Sequence, residues 1–148
     1  MTTSASERQR TAYQFVVPNS KLAPKLGRDL IATLLAVTGH PVLVDAARLC
    51  LSEVITLSYL HTRTARLHLD VSVCPGRVLV AVRDDEWCER PGRGAGRARL
   101  DETRGQGFLL LNRLSAAWGV VTWPTGVEGS ERKRVWFTLD DAEVTSMA

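Results

Sequence analysis

The hydrophobic residues change their spacing several times along the chain, and each change marks an element. From Tyr13 to Val17 the residues are aromatic or β-branched and stop at Pro18-Asn19, which predicts a short strand and a turn. From Lys21 to about Thr38, Leu22, Leu26, Leu30, Leu34 and Val37 recur at three-to-four spacing, so a helix is expected there. Asn19 or Ser20 is placed to cap it, Pro24 falls in its first turn, where Pro is tolerated, and Gly39 ends it. Val42 to Val44 leads into a second helix that runs to about His61, with Asp45 near its N-terminus, where the helix dipole favours negative charge. Ala46, Cys50, Val54 and Leu57, with Ala47, Leu51 and Ile55 alongside, give this helix a wide apolar face.

The period then drops to two. Leu67, Leu69, Val71 and Val73 alternate with polar residues, Pro75-Gly76 turns the chain, and Val78 to Val82 returns, which predicts an antiparallel hairpin with one covered face. Pro91, Gly92, Gly94, Gly96, Gly105 and Gly107 crowd the next stretch, a loop of about twenty residues, and long loops in compact domains are functional or disordered. Gly107 opens a third predicted helix, Phe108 to Ala117. Trp118 to Trp123 and Arg134 to Leu139 are two β-like runs that form a second hairpin. This order implies a two-layer α+β sandwich, with helices on one face of a mixed, mostly antiparallel sheet. One domain is expected over 12–140, with its loop at about 85–106, between tails at 1–11 and 141–148, and the frayed C-terminal end is expected from Asp140.

Composition narrows the class. The 148 residues are 45% hydrophobic and 24% charged, enough for one globular domain that buries roughly 70% of its unfolded surface. No apolar run reaches membrane-spanning length and the first residues lack a signal peptide's hydrophobic segment, so a cytoplasmic protein with no membrane partner is expected. Cys50, Cys74 and Cys88 are odd in number and form no Cys-x-x-Cys pair, so free thiols are expected, two of them buried. The net charge of +3 is mild, but five arginines lie between Arg90 and Arg104; such a cluster attracts phosphates or an acidic partner, or is a solvated loop. Nucleic acid is the weaker partner, because the arginines have no interleaved aromatics and no helix carries a basic stripe.

The chemistry centres on Glu53, a carboxylate amid the apolar series of the second helix. Such a position is costly unless the group is paired or its pKa rises, and it is often functional. A carboxylate at the edge of the apolar face, paired with a basic residue, is the plainer alternative.

Several segments carry a resemblance. Ser52-Glu53-Val54-Ile55-Thr56 with His61-Thr62, Val82-Arg83-Asp84 at a strand end, Arg104-Gly105-Gln106-Gly107-Phe108-Leu109-Leu110 after the loop, and Trp118-Gly119-Val120 resemble the motifs of the GHKL, or histidine-kinase-like, ATPase superfamily. More narrowly the chain resembles the small stand-alone anti-sigma-factor serine kinases and their actinobacterial relatives, from about Tyr13 to Leu139. The resemblance implies a Bergerat-type ATP-binding fold whose lid is the loop at about 85–106. Asp84 would accept a hydrogen bond from the adenine amino group. Gly105 and Gly107 would let backbone approach the phosphates, and Arg104, with Arg97 and Arg99, would help hold them. Glu53 would be the general base that takes a proton from a protein serine or threonine hydroxyl, or from water. The implied cofactors are ATP and magnesium, and the implied partners are a sigma factor or an anti-sigma antagonist, with a homodimer as the assembly. Two places depart from the pattern: the family's magnesium-binding asparagine, four residues after the glutamate, is Leu57 here, and Asp84 is followed by Asp85-Glu86-Trp87 where relatives commonly continue with small residues or a glycine and then proline. Two functions follow as expectations, an ATP-binding serine/threonine kinase of this regulatory type, or a non-catalytic interaction module with weak or no magnesium-ATP binding.

Overall fold

The computed structural model describes residues 10–61, 64–84, 108–124 and 131–141. In chain order these form β1 (Thr11–Pro18), α1 (Ala23–Val37), a 3-10 turn (Pro41–Leu43), α2 (Val44–His61), β2 (Arg66–Cys74), β3 (Arg77–Asp84), α3 (Leu109–Leu114), β4 (Ala117–Pro124) and β5 (Glu131–Asp140). The strands make one open five-stranded sheet in the order β1-β2-β3-β5-β4, with helices on one face, an α+β arrangement. The expected loop at about 85–106, with Arg104, Gly105, Gly107 and Cys88, lies outside the described residues, as do residues 1–9 and 142–148.

Every described strand pairing is antiparallel, so the mixed sheet expected from the sequence is corrected to an antiparallel one. Connectivity explains this. Two successive helices between β1 and β2 return the chain in the opposite sense, and β5 inserts between β3 and β4, the two strands that a single helix connects.

The alternation read from β2 and β3 sets the core. Leu69, Val82 and Val135 stand side by side across the three central strands, as do Val71, Val80 and Phe137, and Val73, Val78 and Leu139. All nine are buried. The rows continue to half-buried Phe15 and Tyr13 on β1 and to Val120 and Trp118 on β4. Fully burying a side chain of this size contributes about 1.5–3 kcal/mol.

α1 shows why leucine spacing alone misleads. Its buried residues are Ala23, Gly27, Ile31, Leu34 and Leu35, whereas Leu22, Leu26 and Val37 are 64%, 41% and 76% exposed. The seam with α2 selects small residues, because a Cβ added at Gly27 would run into the Ile55 side chain. The expected stripe holds at Leu34, which is buried, and at Leu30, which packs against the core, while toward the N-terminus Ala23 and Gly27 are buried in place of Leu22 and Leu26. The expected caps also act elsewhere. Asn19 donates from its backbone N–H to Ala65 O at 2.9 Å and from Nδ2 to Thr64 O at 2.8 Å, which clasps the end of β1 to the start of β2. Ser20 Oγ accepts from Leu22 N at 3.2 Å, and the N-cap residue Leu22 makes no side-chain capping bond.

The third helix is shorter than expected. It ends at Leu114, Ser115 is extended (φ −89°, ψ 152°), and Ala116 N already donates to Thr138 O at 2.8 Å, so the strand claims Ala117. Asp140 and Asp141, expected in a frayed tail, are held as well. Arg77 Nε donates to Asp140 Oδ1 at 2.7 Å, Asp141 N donates to Gly76 O at 3.0 Å, and Asp141 Oδ1 lies 3.3 Å from Nδ1 of buried His40. On the face away from the helices, the Trp136 ring lies over Gly119, where an added Cβ would come within 2.7 Å of it. Arg83 Nε pairs with Asp70 Oδ2 there at 2.7 Å. None of the described helices is long and apolar enough to cross a membrane.

Candidate functional site

Glu53 lies midway along α2 and points at the first turn of α3. Leu110 N donates to its Oε1 at 3.3 Å and Leu111 N to its Oε2 at 3.1 Å. A helix's first N–H groups have no partner inside the helix, and Phe108, the N-cap residue of α3, makes no side-chain capping bond. Glu53 supplies the missing cap from another element, where its charge also suits the dipole. Burial pushes its carboxyl pKa above the ordinary 4.5, and the two backbone N–H groups pull it part of the way back.

The surroundings fix α3 in the same place. Leu111 is fully buried, Phe108 stacks on Trp118 with ring centroids 4.9 Å apart, and Trp118 Nε1 donates to Asn112 Oδ1 at 2.9 Å. One turn back from Glu53, the Cys50 Sγ–H faces Leu110 O at 3.9 Å. Burial, and secondarily the charge of Glu53, push this thiol up to about 12, so it stays protonated. Of the two described cysteines, Cys50 is buried and Cys74 is half-buried.

Leu57, one turn after Glu53, is half-buried and packs against the core. It offers no oxygen. Ser58 Oγ–H is turned back to Val54 O at 2.9 Å, Thr56 is exposed, and Ser52 accepts from Arg28 Nη1 at 2.8 Å across the α1–α2 seam. Magnesium needs several oxygens in near-octahedral array, and the residues on this turn do not fit it. Among the described residues no group of three or more His, Cys, Asp or Glu comes together to hold a metal.

Asp84 ends β3 with its side chain on the helix-covered face, in line with Val82 and Val80, and it is only 4% exposed. Its Oδ2 accepts from Lys133 N at 2.8 Å. No protein-family model matches the chain, and no curated protein matches it.

The structure thus sets Glu53 and Asp84 on the helix-covered side of the sheet and joins Glu53 to α3, the helix that follows the glycines. Arg104, Gly105 and Gly107 lie outside the described residues, as does the side chain of His61. Sequence reasoning missed the Glu53–α3 bonds, the Asp84–Lys133 bond and the His40–Asp141 contact. Their partners are 57, 49 and 101 residues apart, and no local spacing signals them.

Proposed function

We propose that the chain is a regulatory protein of the anti-sigma-factor serine/threonine kinase type, on a Bergerat-type ATP-binding fold, that acts on protein partners. The observation that carries this reading is Asp84, a carboxylate only 4% exposed at the end of a central strand beneath the helices. In this reading Asp84 selects adenine through its amino group, and the phosphates lie toward Gly105, Gly107 and Arg104. Phosphoryl transfer then asks of Glu53 that it release the N–H groups of α3 before it takes a proton from the attacking hydroxyl.

A second reading is favoured by the α2 turn itself. Both oxygens of Glu53 are engaged by α3, and Leu57 supplies no magnesium ligand. These features support a non-catalytic interaction module of the same ancestry. Calorimetry with ATP, with and without magnesium, separates the two. Binding that magnesium strengthens supports the kinase, and binding indifferent to magnesium supports the module. Undetectable binding at millimolar ATP ends the nucleotide reading. Asp84→Asn should weaken binding about tenfold or more, as expected for loss of a charge-assisted hydrogen bond. Leu57→Asn should raise the magnesium-dependent part.

A further inference from the structure

Among the described residues no helix covers the second face of the sheet, and the strand register fixes what stands on it. One row across the central strands is His68, Arg83 and Arg134, and the next is Asp70, Ala81, Trp136 and Gly119. Ala81 lies outside the main core and is nevertheless fully buried, so the side chains around it form a small layer of their own. Trp136 flanks it on β5, and the Arg83–Asp70 pair closes the other side.

Arg83 and Arg134 stand directly opposite each other on neighbouring strands, where like charges repel. The two are not answered alike. Arg83 Nε donates to Asp70 Oδ2 at 2.7 Å, whereas the half-buried Arg134 side chain makes no hydrogen bond or ion pair among the described residues, and its Nε is buried without a partner. A buried donor left unpaired is costly, and an anion set between the two guanidiniums offsets the repulsion.

Trp136 follows Arg134 two residues along the same face of β5, a separation of roughly 7 Å. Its indole is seated on Gly119. A Cβ added there would lie 2.7, 2.8 and 2.9 Å from Nε1, Cε2 and Cζ2, and such nearly equal distances put that point over the face of the ring rather than at its edge. The half-buried ring is thus laid against the strand with its opposite face turned outward. Arginine also outnumbers aspartate over the rest of this surface, where Arg10, Arg66 and Arg77 stand with Asp140.

We propose that this face binds single-stranded nucleic acid, with a base stacked on Trp136 and backbone phosphate held between Arg83 and Arg134. A flat aromatic ring beside cations on an open sheet supplies the two contacts that a single strand offers, a base face and a phosphate. A duplex keeps its base faces stacked on one another, and an acidic peptide would engage the arginines without needing the ring. Along the chain, the arginines between Arg90 and Arg104 have no aromatic among them; across the sheet, Arg83 and Arg134 have Trp136 beside them. Because every base has an aromatic face, little sequence preference is expected. The surface lies on the opposite side of the sheet from Asp84 and Glu53, so the proposal is independent of the nucleotide reading.

The test is fluorescence anisotropy of the full chain, without ATP, against a labelled oligothymidine of about ten nucleotides. Binding should weaken as salt rises. Arg134→Gln removes no side-chain bond, so it should keep the wild-type circular dichroism while making the log–log salt slope shallower by about 0.7, the share of one phosphate. Trp136→Ala should lower the affinity about five- to hundredfold with the salt slope unchanged, and Trp136→Phe, which keeps an aromatic face, should restore most of it. Absence of binding even at low salt overturns the proposal, as does binding that Trp136→Ala and Arg134→Gln both leave intact. So does a site that unlabelled polyglutamate empties as readily as unlabelled oligothymidine, the behaviour of a surface for acidic peptides.

Discussion

α1 meets α2 along an apolar seam in which Gly27 lies against Ile55 and Leu51, whereas α3 meets the same helix through the two oxygens of Glu53. The first contact is chiefly one of shape, with the Arg28–Ser52 hydrogen bond across it. It depends on small residues at Ala23 and Gly27 and changes little with pH. The second couples a carboxylate to two backbone N–H groups, so it responds to charge, and it holds the helix that follows the glycine-rich stretch. The difference separates a scaffold, which is the α1–α2 pair on the sheet, from an attachment that can be loosened without unfolding the scaffold.

The largest expected effect breaks the scaffold side. Ile55 is fully buried in the seam, and Ile55→Ala should cost about 2–5 kcal/mol in denaturant unfolding. A loss below about 1 kcal/mol would mean that the seam re-forms around the cavity and is not the rigid partner in this comparison. Glu53→Ala should cost less, about 0.5–2 kcal/mol as for loss of a helix cap. Its effect should be local, with faster hydrogen exchange at the Leu110 and Leu111 amides and no change along α1. Uniform acceleration across the domain would erase the distinction between the two contacts.

pH sharpens the contrast further. Because the folded carboxyl of Glu53 has a raised pKa, the folded chain holds that proton more tightly than the unfolded one. The stability it contributes is fully present below about pH 4.5 and is lost as pH rises through the folded value. Glu53→Gln should flatten that part of the stability profile, and identical slopes in the two proteins would rule the assignment out. The smallest effect is chemical. Cys50, with its thiol at about 12, should resist alkylation in the folded chain while half-buried Cys74 reacts, and equal labelling rates would show that α3 leaves its place readily.

What the sequence disclosed follows the range of the interactions. The β2–β3 hairpin was legible because Leu67 to Val73 alternate strictly and Gly76 sits at φ 76° in the turn, both local signals. The existence of α1 was legible, but its buried face only in part. Leucine spacing pointed to Leu22, Leu26, Leu30, Leu34 and Val37, of which Leu34 is buried and Leu30 packs on the core, and the approach of Ile55 from another helix explains why Gly27 rather than Leu26 faces inward. Glu53 stood out as a carboxylate among apolar residues. Its partner did not, since the N–H groups that it caps belong to α3, the helix that connects β3 to β4 more than fifty residues further along the chain. Asp84 was marked by resemblance rather than by pattern, and its burial depends on which face β3 presents to the helices. The partition into β-runs at the C-terminal end was sound, while the end of α3 was misplaced because Ala116 and Ala117 have helix propensity that the sheet overrides.

The strand order has a kinetic consequence. β2–β3 and β4–β5 are neighbours in sequence and close as hairpins, but Val17 pairs with Leu67, and Val82 with Val135, across about fifty residues. Joining ends so far apart costs about 3.5 kcal/mol of chain entropy apiece, and long-range pairings of this kind slow folding. The two closures are not alike. Between β1 and β2 the chain can first form the α1–α2 pair, which shortens the gap before Asn19 finds Thr64 and Ala65. Between β3 and β5 the only described helix is six-residue α3. The stitch that runs down the middle of the finished sheet is therefore the one expected to form last.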